Sequence, residues 1–120
     1  MDSKGKRKSE RHPLPVDLSK ILLLGPERKP SRSMGVDVSD DGLGIIGFEV
    51  LEPNLKGMLL LNGKELPVTV VWSKPDPNRQ GIFRSGLVLV GGGISLVDEF
   101  QTAGFLKVVK AFEFRKLTRK

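Results

Sequence analysis

Two arginines, Arg7 and Arg11, stand four positions apart in the basic segment KGKRKSERHP, and further along the chain reads DVSDDG over residues 37–42. Arginine is always charged, and its planar fork can grip phosphate oxygens or stack on a ring face. In DVSDDG, Asp37 supplies a carboxylate and Ser39 a hydroxyl that can bond back to the turn. Gly42 can supply a positive φ. Such a turn gathers acceptors, a hydroxyl and free N–H groups in one small concavity, which suits a ligand edge rich in donors and acceptors. Alone, each stretch has a plain reading: a solvated basic tail and a good turn.

Other chemistry has little to draw on. The chain has one histidine, His12, and neither cysteine nor tyrosine. A lone histidine with scattered carboxylates does not make a zinc site. Asp40 and Asp41 are adjacent and read as solvated turn-formers. GGGIS lacks the lysine of a phosphate loop and reads as a strand-to-helix joint. These residues point away from an enzyme, with no metal and no cofactor.

The charge is unevenly placed. The net +6 divides into +3 over residues 1–12, +5 over residues 105–120 and −2 between them. Basic termini attract phosphate-bearing partners in general. No apolar run approaches the ~18 residues that span a membrane. No apolar stretch follows the N-terminal charges as in a secretory signal. With no cysteine, the chain fits a cytoplasmic location.

The elements that must position these residues follow from periodicity. Leu14, Val16 and Leu18 alternate with polar or proline positions, opening a strand in PLPVDLSKILLL. GPERKPSRS is a loop. Met34, Val36 and Val38 alternate in a second strand, and LGIIGFEV is a third. Gly44 and Gly47 in it suggest a bulge or a close backbone approach. MLLL and LPVTVVW flank Asn62-Gly63, a strong hairpin signal. IFRSGLVLV is the sixth strand, with Phe83, Leu87 and Leu89 on one alternation. Ser95 followed by Asp98 is a helix start. Leu96, Phe100, Phe105, Val109 and Phe112 then recur at near-helical spacing, and Gly104 divides the stretch. The expected fold is mainly β: a six-stranded antiparallel, Greek-key-like barrel with a C-terminal α-helix. Its parts are a flexible basic segment over residues 1–11, the barrel over 12–93 and a helical segment over 94–120. The amphipathic stretch from Phe105 onward is read as packing its apolar face on the barrel.

Arg-x-x-x-Arg, a strand, a loop, a strand and then Asp-x-Ser-x-x-Gly resembles the PilZ family. Arg7, Arg11, Asp37, Ser39 and Gly42 occupy every fixed position of its two ligand motifs. Trp72 at the end of an apolar strand and Gly86-Leu87 in the last strand are similar to the family's closing hairpin. The resemblance covers about residues 7–90. Leu89 stands where phenylalanine is common in the family. The resemblance implies a barrel that binds the bacterial second messenger cyclic di-GMP. Arg7 and Arg11 would clamp guanine edges and phosphate. Asp37 would accept from a guanine N1–H and N2–H2 edge, and Ser39 would bond base or ribose. Gly42 would let the turn approach without a Cβ clash. Lys6 before the first arginine resembles the cases that bind a stacked pair of ligands. His12 and Gly86 are further contact candidates.

The resulting expectation is a stand-alone cyclic di-GMP receptor. Its N-terminal segment orders over the ligand, and an unknown protein partner reads the change. Two alternatives differ in class: a PilZ-like protein-binding adaptor without nucleotide, and a small basic nucleic-acid-binding barrel. Trp72 and the six phenylalanines fall mostly at core-like positions, which argues against nucleic acid.

Overall fold

The computed structural model describes residues 10–106. Lys6 and Arg7 lie outside the described residues, as do Val109 and Phe112. The described chain runs β1 (His12–Pro13), β2 (Leu22–Leu24), β3 (Lys29–Pro30), β4 (Ser33–Val38), β5 (Gly42–Gly47), β6 (Lys56–Leu61), β7 (Lys64–Pro75), β8 (Phe83–Leu89) and α1 (Leu96–Thr102). Among the described residues, these eight strands form one antiparallel sheet in the order β1-β4-β5-β8-β7-β6-β2-β3, curled into a half-barrel. The fold is mainly β, as the alternation predicts.

The count of six strands and the closed barrel are not what the structure shows. The two additional strands, β1 and β3, are only two residues long. They end the sheet on opposite sides and are not neighbours in the strand order. Each contains a proline, which has no N–H to extend a ladder. Neither shows an apolar alternation, so nothing in their own residues marks them. Their pairing is set by the neighbours: His12 and Pro13 lie opposite Val38 and Asp37, and Lys29 and Pro30 opposite Leu24 and Leu23.

PLPVDLSKILLL divides in a similar way. Leu14 and Leu18 are fully buried, as their alternation requires. The backbone there follows β4 through separate bonds, Leu14 N to Val36 O at 3.0 Å and Gly35 N to Val16 O at 2.8 Å. Pro13 and Pro15 interrupt any regular ladder. After Pro13, regular pairing resumes at Leu22, against Leu59 of β6.

Asn62 and Gly63 turn the β6–β7 hairpin with φ of 53° and 75°, as a type I′ turn demands. α1 starts where Ser95 predicts, its hydroxyl accepting from Asp98 N at 3.2 Å. Gly104, at φ +88°, ends it. Phe105 N bonds Phe100 O at 3.0 Å and Gly104 N bonds Gln101 O at 3.0 Å, closing a Schellman motif. The rings of Phe100 and Phe105 meet edge to face at 6.2 Å.

Leu96 and Phe100 sit at full burial with Leu43, Leu59 and Val70, so α1 closes the core from one side. Each such side chain contributes roughly 1.5–3 kcal/mol on leaving water. Polar contacts fix the helix to the hairpin. Asn62 Nδ2 donates to Glu99 Oε1 at 2.7 Å, and Lys64 Nζ to Glu99 Oε2 at 2.6 Å. These bonds, Lys64 first and Asn62 next, hold the Glu99 carboxyl below the usual glutamate range despite partial desolvation. No helix among the described residues is long and apolar enough to cross a membrane.

Candidate functional site

β5 and β8 lie side by side, flanked by β4 and β7. One row of residues crosses all four strands. Asp37 lies opposite Gly44, Gly44 opposite Gly86, and Gly86 opposite Trp72. The middle of the row is bare backbone, with a carboxylate at one end and an indole at the other. A cavity of about 350 Å³ lies over it, also lined by Arg11 and Arg84. That volume suits a small organic ligand.

Both ends of the row depend on a register shift. β4 shifts between Gly35 and Asp37, and β7 between Val70 and Trp72. Each outer strand therefore inserts one residue, Val36 or Val71, and an inserted residue re-aims the next side chain along. Leu66, Val68 and Val70 are buried along β7, so regular alternation would turn Trp72 inward as well. The shift leaves it 42% exposed, with Val71 at 49%. This corrects the expectation of core-like aromatics. Phe48 is exposed too, just beyond the end of β5.

Gly44 and Gly86 leave room for the side chains that lie over them. A Cβ on Gly44 would come within 2.5 Å of Asp37 Oδ1. A Cβ on Gly86 would fall on the Nε1 edge of the Trp72 indole. Gly42 is different. It has no positive φ, and a Cβ there would meet Ser39 Oγ at 3.4 Å and Leu87 O at 3.5 Å, ordinary contacts. The conformational reason given for Gly42 therefore does not hold, although the residue does line the cavity as the first residue of β5.

Arg11 arrives beside this floor because β1 pairs with the end of β4. Its Nη2 donates to Asp37 Oδ1 at 2.9 Å, and its Nη1 approaches Ser39 Oγ at 3.4 Å. Ser39 is nearly fully buried. Its N–H donates to Gly42 O at 2.9 Å and its hydroxyl to Asp41 Oδ1 at 3.3 Å. Arg11 and Asp37 are 49% and 34% exposed, and ion pairs so open to water contribute only about 0–1 kcal/mol. An anionic ligand can therefore draw Arg11 away at small cost. The Asp40 side chain is not merely solvated: its Oδ1 accepts from Ser95 Oγ at 2.6 Å.

Of the residues singled out in sequence, Arg11, Asp37, Gly42 and Gly86 line the cavity, and Ser39 stands behind them bonded to Arg11. His12 does not line it; its ring sits 4.0 Å from Glu10. Lys6 and Arg7 lie outside the described residues. Sequence reasoning missed Gly44, Trp72 and Arg84 as site residues. Gly44 carried a usable signal, a glycine inside an apolar strand. Trp72 carried none, because a register shift decides its direction. Lys74 Nζ lies 5.2 Å from the Trp72 ring centroid, and Lys74 faces Arg84 across the strands. The bond from Asn78 N–H, then Arg79 and last the Arg84 charge, hold Asp76 below the usual carboxylate range. Among the described residues no group of three metal-ligating side chains comes together.

Comparison with protein-family models, with curated proteins and with solved structures finds no match to this chain.

Proposed function

We propose that the groove over Gly44 and Gly86 binds cyclic di-GMP, and that the protein is a receptor for it rather than an enzyme. The observation that carries this reading is the row Asp37–Gly44–Gly86–Trp72 with Arg11 bonded beside it. A flat purine fits between the carboxylate that packs over Gly44 and the indole that packs over Gly86. Asp37 accepts from the guanine N1–H and N2–H2 edge, as adenine would not allow. Trp72 offers an exposed ring for stacking. Arg11 leaves its weak pair with Asp37 to bind phosphate or the O6/N7 edge, which also frees Asp37 for the base. Ser39 keeps the turn in register. Arg7, four residues before Arg11, supplies a second guanidinium, and ordering of that segment over the ligand gives a partner protein a changed surface. Lys6 favours a stacked ligand pair by placing one more cation beside the added phosphates. A receptor of this kind works in the cytoplasm.

Calorimetry tests the reading directly. Cyclic di-GMP is expected to bind and cyclic di-AMP to bind far more weakly. No heat with cyclic di-GMP at high protein concentration would remove the proposal.

One observation favours a second reading. An exposed Trp72 beside Lys74 and Arg84 is also what a single-stranded nucleic acid uses for stacking and phosphate contact. That reading requires oligonucleotide binding with a steep salt dependence. A flat salt response, or no binding, disposes of it.

A further inference from the structure

The turn over residues 37–42 has two working sides. Through Asp37 and Ser39 it meets Arg11 at the groove. Through Asp40 it meets the start of α1. Asp40 Oδ1 accepts from Ser95 Oγ at 2.6 Å, and Asp40 O accepts from Leu96 N at 2.8 Å. The same Ser95 hydroxyl accepts from Asp98 N, so the helix cap and the turn share one side chain. Arg11 is thus linked to the first residues of α1 through Ser39, the adjacent Asp40 and Ser95.

The chain leading into α1 constrains it little. Gly91 and Gly93 have φ of +90° and +84°, and nothing lies within 4 Å of where their Cβ atoms would be. Such a glycine joint has many conformations of similar energy. α1 is therefore seated by its contacts: Asp40 at its first turn, Asn62 and Lys64 through Glu99, and the buried Leu96 and Phe100. A change at any one of these shifts the balance between seated and loosened helix.

We infer that occupancy of the groove is read out at α1 through Asp40 and Ser95; for the identity of the ligand this rests on the nucleotide reading above. A ligand held by Arg11, Asp37 and the backbone of the turn steadies residues 37–42. Asp40 then holds Ser95 and Leu96 more firmly, and α1 spends less time loosened. The partner-facing signal leaves the half-barrel on the side of the glycine joint. Linkage makes the effect reciprocal, so seating α1 strengthens ligand binding by the same factor.

Amide hydrogen exchange in the full chain tests this at Ala103 and Phe105, whose N–H groups bond within and just beyond the helix. Saturating cyclic di-GMP is expected to slow their exchange about fivefold or more, the lower end of typical coupling. The N–H of Ser31, bonded to Leu22 O at the far side of the sheet, serves as the reference. Nucleotide binding with unchanged exchange at α1 would overturn the inference. If the nucleotide does not bind, the ligand reading fails, and Arg11→Ala in the free protein decides the coupling. Faster exchange at α1 relative to Ser31 supports it, and equal exchange overturns it. The reciprocal arm uses Ser95, which does not line the groove. Ser95→Ala is expected to weaken nucleotide binding, by at most the same factor, and Ser95→Thr, which keeps a capping hydroxyl, to restore it. An unchanged Kd in Ser95→Ala with α1 loosened would contradict the coupling.

Discussion

On the β4 side of the groove, Asp37 lies over Gly44 and is tied to Arg11, which also approaches Ser39. On the β7 side, Trp72 lies over Gly86 and its ring meets the Lys74 ammonium. The two walls share one device: a residue inserted in the outer strand and a glycine in the inner strand. They differ in chemistry. The acidic wall is directional, because a carboxylate accepts hydrogen bonds from particular edges. The aromatic wall is tolerant, because every base has a π-face. Selectivity should therefore reside on the β4 side, and a share of affinity without selectivity on the β7 side.

Filling the floor attacks both walls at once. The double variant Gly44→Ala, Gly86→Ala forces Asp37 and the indole to shift. Overpacking at each site costs about 1–3 kcal/mol. Together they are expected to abolish nucleotide binding while the circular dichroism stays that of a β protein. Retained binding would mean that the ligand does not lie over the glycine floor.

Arg11→Ala comes next, with a loss of about 1.5–3 kcal/mol for a hydrogen-bonding charge at the ligand, roughly 10- to 150-fold in Kd. The walls themselves are separated by one pair of variants. Asp37→Ala is expected to cost about 1–3 kcal/mol of guanine-over-adenine discrimination. Trp72→Ala is expected to weaken guanine and adenine dinucleotides alike, by about 1–3 kcal/mol per stacked base. Competition calorimetry with the two dinucleotides distinguishes these outcomes. If Trp72→Ala changes selectivity, the division of labour between the walls is wrong.

The smallest effect lies outside both walls. Glu99 has a folded pKa below its unfolded value, chiefly through Lys64. Its contribution to stability is complete above the unfolded value and is lost as pH falls through the folded one. Thermal unfolding followed through the acid range should show this loss, and Lys64→Met should flatten it. A Lys64→Met profile identical to that of the parent would show that the pair does not hold α1 to the hairpin.

The same two walls show how far the residues alone can be read. Asp37 was legible because its turn has a local signature, and Arg11 because its spacing joins that turn in a known pattern. The apolar alternation marked Val38 and Leu87 as core correctly, but Met34, which it placed on the face of Val38, is exposed because the register of β4 shifts between Gly35 and Asp37. Trp72 was misread because alternation assumes an unbroken register, and one inserted residue reverses the face of every later position in the strand. β1 and β3 were unreadable because two-residue strands have no period. They exist only where a neighbour offers its edge. Gly42 was credited with a backbone conformation that Gly63 and Gly104 adopt and it does not. The glycines that matter to the groove, Gly44 and Gly86, matter through side chains that pack over them from the next strand, and only the pairing register reveals such a contact.

On the proposed function, a guanine sits between Asp37 and Trp72. The chain has a single tryptophan, in the groove, and no tyrosine, so its fluorescence reports on this site alone. A titration with cyclic di-GMP should quench that emission along a saturable curve, with the same Kd that calorimetry gives. Arg11→Ala should shift the curve to higher concentration. Calorimetric binding that leaves the Trp72 emission unchanged, or a quench that cyclic di-AMP reproduces at equal concentration, would contradict it.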